Sequence, residues 1–454
     1  MTPIQQVVFD AGLLGILILA GFFIRKKVKL LQDLYIPAAM VAGFLGLLLG
    51  PQVLGTFSPI CFPLPASLNS WAATMSIVVF SVSFLGTTPK DFGEAAYSTA
   101  ILAGIGHQLQ VVVGLLCAFA FMGTYAFPLG FGLTPVFGFY GGHGVAMAAG
   151  TLMKDMGWAE AVDVANTMAT AGLVGGIAFG IVMINIGARR GMTRYVREPS
   201  RIPAEIKIGY VEPSARKPIG RGVTYNDVVD PFGFMLCWGG GIAIAGYLLR
   251  QALLRIHPIL GYVPWFACCL IMSMVAGTIL RRSGLNRYID RASMTRISGF
   301  AMDYLVCAAI CTLNLKTVAT YIIPLVVTIA AIFVANIIFY TYFAAKLFRH
   351  DGFERMVGSF GQGCGVLATG LMLIRIVDPN GESSAADAIA AASTIGYLWM
   401  IPYFTIGPIV SFTWGFPKLF LISVLLLAGF ILLGRLTCWR KEPAWKTQPF
   451  HSSE

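Results

Sequence analysis

Eleven stretches of this 454-residue chain are apolar and, at about 17 to 25 residues or slightly more, long enough to cross ~30 Å of hydrocarbon as helices. They lie near residues 7–24, 35–50, 71–87, 97–122, 161–187, 231–254, 264–280, 297–315, 318–345, 385–412 and 416–434. A backbone in lipid must satisfy its own hydrogen bonds, so segments of this length predict helices and the chain as a whole an all-α polytopic membrane protein. Composition agrees, since 57% hydrophobic residues, 12% charged residues and a mean hydropathy of +0.76 leave more apolar surface than a soluble fold can bury. The formal charge of +11 is scattered in short runs between apolar segments, which points to membrane topology and away from nucleic acid.

Those basic runs orient the spans. No basic residue precedes the first apolar run, and "RKKVK" follows it, the reverse of a cleavable signal peptide. The positive-inside rule then predicts an N-terminus outside and residues 25–33 in the cytoplasm. Carried through eleven spans, this orientation puts 26 of the 32 Lys and Arg residues in cytoplasmic loops and leaves the C-terminus cytoplasmic. Lys154, Arg250, Arg255, Lys316 and Lys418 fall outside, and Arg375 falls at a hairpin. The nine cysteines show no paired metal-ligand spacing and are expected mainly as buried small hydrophobes.

The chain also divides in two. "MVAG" occurs at Met40–Gly43 and again at Met274–Gly277, each in a short, glycine-containing span. Each half then runs through two further spans to a glycine-rich stretch, "GFYGGHGVAMAAG" at Gly138–Gly150 and "GSFGQGCGVLATG" at Gly358–Gly370. Five spans precede a polar, basic linker and five follow it, so the second copy enters the membrane from the opposite face. The predicted organisation is a first inverted repeat over 1–187 with a hairpin near 130–153, and a cytoplasmic basic linker over 188–230. A second repeat follows over 231–412 with a hairpin near 357–377, and an additional helix and cytoplasmic tail occupy 413–454. The linker reads as a solvated tether.

Glycine clusters inside membrane segments often only permit close helix packing. Two clusters at matched places in opposed halves ask for more. Irregular backbone at membrane depth survives only where protein or a water-filled cavity surrounds it. Interrupted helices there present N-termini to anions and freed carbonyls to hard cations, the usual construction of a carrier's midplane site.

At "YGGHG" (Tyr140–Gly144), "ATAGLVGG" (Ala169–Gly176), "YIP" (Tyr35–Pro37) and the Gly363, Gly365, Ala368, Thr369 pattern, the chain resembles the bacterial sodium/glutamate symporter family, over roughly residues 10 to 410. The resemblance implies sodium-coupled uptake of glutamate across a bacterial inner membrane, two inverted five-helix repeats with re-entrant hairpins, a homodimer, and an elevator movement of the hairpin-bearing domain. Sodium is then the coupling ion, with no other cofactor and no nucleic-acid partner, and membrane lipid surrounds the protein. Three departures stand out: Val145 where a hydroxyl residue is expected, Gly361–Gln362 where the family reads "GHCG"-like, and the acidic Asp303 inside a span. The wider superfamily includes sodium/citrate-type carriers, so the fold alone does not fix the substrate.

On this reading the substrate candidates are Gly141, Gly142, His143 and Gly144 in the first hairpin and Gln362, Gly363, Cys364, Gly365, Thr369 and Arg375 in or after the second. The sodium candidates are Asp303, Asn166, Thr167 and Thr170. A carboxylate within a span is costly and functional or paired, and hard cations take oxygen ligands. Arg375 offers a fork for a carboxylate, or a partner for Asp378. His107, Gln108 and Gln110 read as interhelical hydrogen bonders. Neither HExxH nor GxSxG is present, so no enzyme motif competes. The alternatives are a sodium- or proton-coupled carrier of di- or tricarboxylates or another amino acid, and a channel-like or sensory protein on the same fold.

Overall fold

The computed structural model describes residues 2–33, 36–86, 93–195, 210–213, 216, 218–256, 263, 265–378 and 381–441. The middle of the expected linker, Tyr35 of "YIP" and the tail beyond 441 lie outside the described residues. Each of the eleven apolar stretches coincides with a helix. In order these are α1 (Pro3–Lys27), α2 (Ala38–Leu49), α3 (Trp71–Val82), α4 (Glu94–Phe121), α6 (Ala161–Arg189), α7 (Pro231–Ile256), α8 (Trp265–Arg282), α9 (Arg291–Cys311), α10 (Ile322–Leu347), α12 (Ala385–Thr413) and α13 (Phe416–Thr437). Two further helices, α5 (Gly142–Asp155) and α11 (Gly352–Val377), carry the glycine-rich stretches.

The expectation of eleven full spans is corrected by length. Among the described residues nine helices are long and apolar enough to cross a bilayer, or ten if the two halves of α12, bent by 47°, count as one. The exception is α3, expected over 71–87: even with the helical turn before it, its apolar run covers Ala66–Val82, shorter than the spans, whereas that of α2 continues to Thr56. The end of α3 is capped by an arginine: Arg291, at the start of α9, donates to the carbonyls of Ser83 (2.9 Å) and Leu85 (3.0 Å), and Gly86 then turns the chain at φ +69°. Guanidinium donors satisfy the last carbonyls of a helix and complement its negative end.

The chain forms two compact units, and neither is contiguous. Unit 1 comprises residues 1–89 and 208–315, and unit 2 comprises 90–207 and 316–454. Each therefore draws on both halves of the sequence. Unit 1 contains α1–α3 and α7–α9. Within it the two "MVAG" glycines make reciprocal close approaches. An added Cβ at Gly43 in α2 would lie 2.6 Å from Ile310 Cβ in α9, and one at Gly277 in α8 would lie 2.6 Å from the Phe84 carbonyl just past α3.

Unit 2 contains α4–α6 and α10–α13. Small side chains set its closest packing, with Ala146 of α5 buried against Ala165 and Ala169 of α6. Phe333 of α10 stacks near both Phe139 (ring centroids 4.9 Å) and Phe179 of α6 (4.8 Å).

Candidate functional site

Both glycine-rich stretches of unit 2 break their helices and double back. In the first, a short π-helical run over Val136–Tyr140 ends at Gly141, Gly142 takes φ +65°, and α5 starts there. An added Cβ at Gly130 would lie 2.8 Å from Met153 Sδ, although a straight helix would hold residues 23 apart at ~34 Å. In the second, α11 is interrupted at Gly365 (φ −148°, ψ 36°) and Val366 (φ 68°, ψ 171°). An added Cβ at Gly361 would lie 2.9 Å from Gly370 Cα, which places the two arms of α11 side by side.

The two breaks meet. A Cβ on Gly142 would collide with Val366 Cγ1, so the left-handed turns of the two segments touch each other. Helix α6 backs both: a Cβ at Gly172 would lie 2.5 Å from the Cys364 carbonyl and 2.9 Å from Phe139 Cγ, and one at Gly176 would lie 2.8 Å from Cys364 Cβ. Two helix N-termini, that of α5 and that of the second arm of α11, thus start at one place. The arms before the breaks end there in carbonyls. Partial positive charge and freed carbonyl oxygens are brought together in a buried spot.

Side chains complete it. His143 Nε2 and Thr170 Oγ1 are 3.0 Å apart, so two candidates placed in different roles by sequence form one pair. Gln362 Nε2 donates to Ser393 Oγ of α12 at 2.7 Å, and the Thr369 hydroxyl donates to the Gly365 carbonyl across the break. Thr167 donates to its own helix at Asp163 O (2.7 Å). Asn166 donates to Met147 Sδ at 3.0 Å and is buried, with no partner for Oδ1 among the described residues. Gly141 is half-buried, and Gly142, His143, Gly144, Gly363, Cys364 and Gly365 are buried.

Two candidates are exposed. Arg375 is exposed, ten residues beyond the break and so ~15 Å along the arm, and Asp378 instead accepts from the Glu382 (2.9 Å) and Ser383 (2.8 Å) amides. Asp303 belongs to unit 1, 12 residues into α9, and is exposed.

Other groups were not legible as site residues. Gln110 of α4 donates to the Gly363 carbonyl at 2.7 Å, and Asn336 of α10 donates to Cys364 Sγ at 3.3 Å. Both are buried polar residues in apolar helices, a signal present in the sequence but without a direction. At the base of α11, Asp351 accepts from Arg194 Nη1 (3.2 Å), the Tyr195 hydroxyl (2.7 Å) and the Ser384 amide (2.8 Å). Burial alone would raise the Asp351 carboxyl, but these hydrogen bonds and the Arg194 charge outweigh it and hold the group below the ordinary range. Burial pushes the neighbouring Glu354 up to about 7 although its Oε1 accepts from the Arg194 amide at 2.8 Å. Arg355 is buried with its guanidinium on Ser98 Oγ (2.6 Å), Thr99 Oγ1 (2.7 Å) and the Ala95 carbonyl (2.5 Å), above the Phe348 ring at 3.8 Å. It fastens the first arm of α11 to the start of α4.

No curated protein matches the chain. A family model described as sodium/glutamate symporter matches residues 8–373, a range that takes in unit 1 from residue 8 on, the first broken segment, α6, and the second broken segment into its far arm. On that match, and with both breaks inside it, the chain belongs to the sodium/glutamate symporter family.

Proposed function

We propose that the protein imports L-glutamate together with sodium, and that the paired breaks in unit 2 are where both are held. The observation that carries this reading is the contact between Gly142 and Val366, backed by α6. It gathers two helix N-termini suited to a carboxylate and the carbonyl ends of two arms suited to a hard cation. Because Arg375 lies ~15 Å along its arm, the substrate is held by backbone amides of the breaks with His143, Gln362 and Thr369 and not by an arginine fork. Asn166, Thr167, Thr170 and the carbonyls about Gly363–Gly365 supply oxygens for sodium.

Asp303 takes a separate part. A carboxylate this far into a spanning helix faces water or protein rather than lipid, so we assign it to drawing cations toward the protein from unit 1.

The reciprocal approaches of Gly43 and Gly277 support two inverted halves, and the breaks support re-entrant hairpins. Division into two units supports an elevator in which unit 2 carries the cargo while unit 1 anchors a homodimer in the inner membrane. Occupancy by anion and cation together lowers the charge of the site enough for it to cross. The test is uptake of radiolabelled L-glutamate into liposomes containing the purified protein. An imposed inward sodium gradient should drive accumulation, potassium should not, and unlabelled glutamate should compete better than aspartate, citrate or neutral amino acids. Accumulation competed best by citrate would favour a tricarboxylate carrier, and flux without saturation would favour a channel.

A further inference from the structure

The C-terminal end of the central linker is more than a tether. Between Ile219 and Asp230 it lies over the starts of α7 and α9 in unit 1, pinned by Asp290. That carboxylate accepts from the Arg221 amide (3.2 Å) and from the Ser293 amide (2.8 Å) and hydroxyl (2.7 Å). Gly220 sits so close that an added Cβ would lie 2.8 Å from Asp290 Oδ2. Asp230 caps α7 through the Gly233 amide at 2.7 Å. Beside this strap is a cavity of about 820 Å³, within the size range of ligand sites.

The lining has two characters. Phe232, Leu236 and Phe300 contribute apolar wall from the first three turns of spanning helices, and they are 47%, 47% and 54% exposed. Arg221 and Arg296 are the basic lining residues. The two carboxylates at the site, Asp230 and Asp290, are each engaged with the N-terminal amides of a helix, which leaves the two arginines to face a ligand. The loops at this end carry the basic excess that the positive-inside rule assigns to the cytoplasmic face, where anionic lipids concentrate. An arginine fork suits a phosphate, and the exposed apolar wall suits hydrocarbon.

We propose that this cavity binds an anionic phospholipid, with Arg221 and Arg296 on its phosphate and Phe232, Leu236 and Phe300 along its acyl chains. The site is independent of the glutamate reading, because it lies wholly in unit 1 and uses none of the residues at the breaks.

Native mass spectrometry of the detergent-purified protein, titrated with phosphatidylglycerol or phosphatidylcholine, tests it. The wild-type chain should retain one more phosphatidylglycerol than the Arg221→Gln/Arg296→Gln variant. The variant's preference for the anionic lipid over phosphatidylcholine should be about 30-fold below that of the wild type, which is ~2 kcal/mol at about 1 kcal/mol per basic residue. Equal retention by both proteins would overturn the proposal. Displacement of the lipid by inorganic phosphate alone, with no effect of chain length, would also overturn it by reducing the site to a phosphate site. Should the double variant not fold, Phe300→Trp in the otherwise unchanged chain decides: brominated phosphatidylglycerol should quench the new tryptophan more than brominated phosphatidylcholine does. Equal quenching would count against the site.

Discussion

Replacing Gly142 by alanine probes the contact on which the functional reading stands. Two costs follow from the structure. Gly142 adopts φ +65°, where an L-residue is disfavoured by ~1–2 kcal/mol, and its new Cβ would strike Val366 Cγ1. Forcing an extra carbon into a packed contact adds ~1–3 kcal/mol, so Gly142→Ala should cost ~2–5 kcal/mol. Only the second part depends on Val366. Val366→Ala shortens the facing side chain, which is half-buried and so costs about 1 kcal/mol or less on its own. The double variant should recover the collision and retain the backbone part, giving a coupling of ~1–3 kcal/mol. Thermal unfolding in detergent, with and without glutamate and sodium, reads stability and ligand binding together. The expected order of midpoints is wild type, Val366→Ala, the double variant, then Gly142→Ala, with the ligand-induced rise smallest in the last. Additive effects of the two changes would refute the contact, and an unchanged ligand-induced rise in Gly142→Ala would remove the breaks from the binding site.

Three further outcomes are expected. Burial raises Glu354 to about 7 from an ordinary 4.5, so its contribution to stability is full below pH ~4.5 and is lost as pH rises through about 7, a change of up to about 3 kcal/mol. Glu354→Gln should flatten the unfolding profile between pH 5 and 8, and a profile identical to wild type would show that this carboxyl does not titrate there. Arg355→Ala leaves a void and removes the donors to Ser98, Thr99 and Ala95, which should cost ~3–5 kcal/mol by chemical unfolding, whereas Arg355→Lys should cost less by retaining charge and most of the volume; equal losses would place the effect in the guanidinium hydrogen bonds alone. Asp303→Asn should raise the sodium concentration for half-maximal uptake while leaving uptake sodium-coupled, and an unaltered sodium curve would exclude Asp303 from cation handling.

The sequence by itself determined where the helices are and what kind of protein this is. Apolar length is a property of each segment alone, and hydrocarbon thickness converts it directly into a spanning helix, so all eleven stretches became helices. The glycine clusters likewise announced where helices would break, because a lone helix gains nothing from so many residues without side chains. The tertiary structure decided the rest, since it depends on which surfaces meet. It shortened α3 by bringing Arg291 from about 200 residues away onto its last carbonyls. It regrouped two sequential halves into two units that each draw on both, because helices of one half also pack against helices of the other, as α9 does on α3 and α11 on α6. It joined His143 to Thr170 and drew Gln110 onto Gly363, while leaving Asp303 and Arg375 exposed. Residue chemistry gives a charged group in a span its cost, but only packing gives it neighbours, and the neighbours decide whether it serves a site.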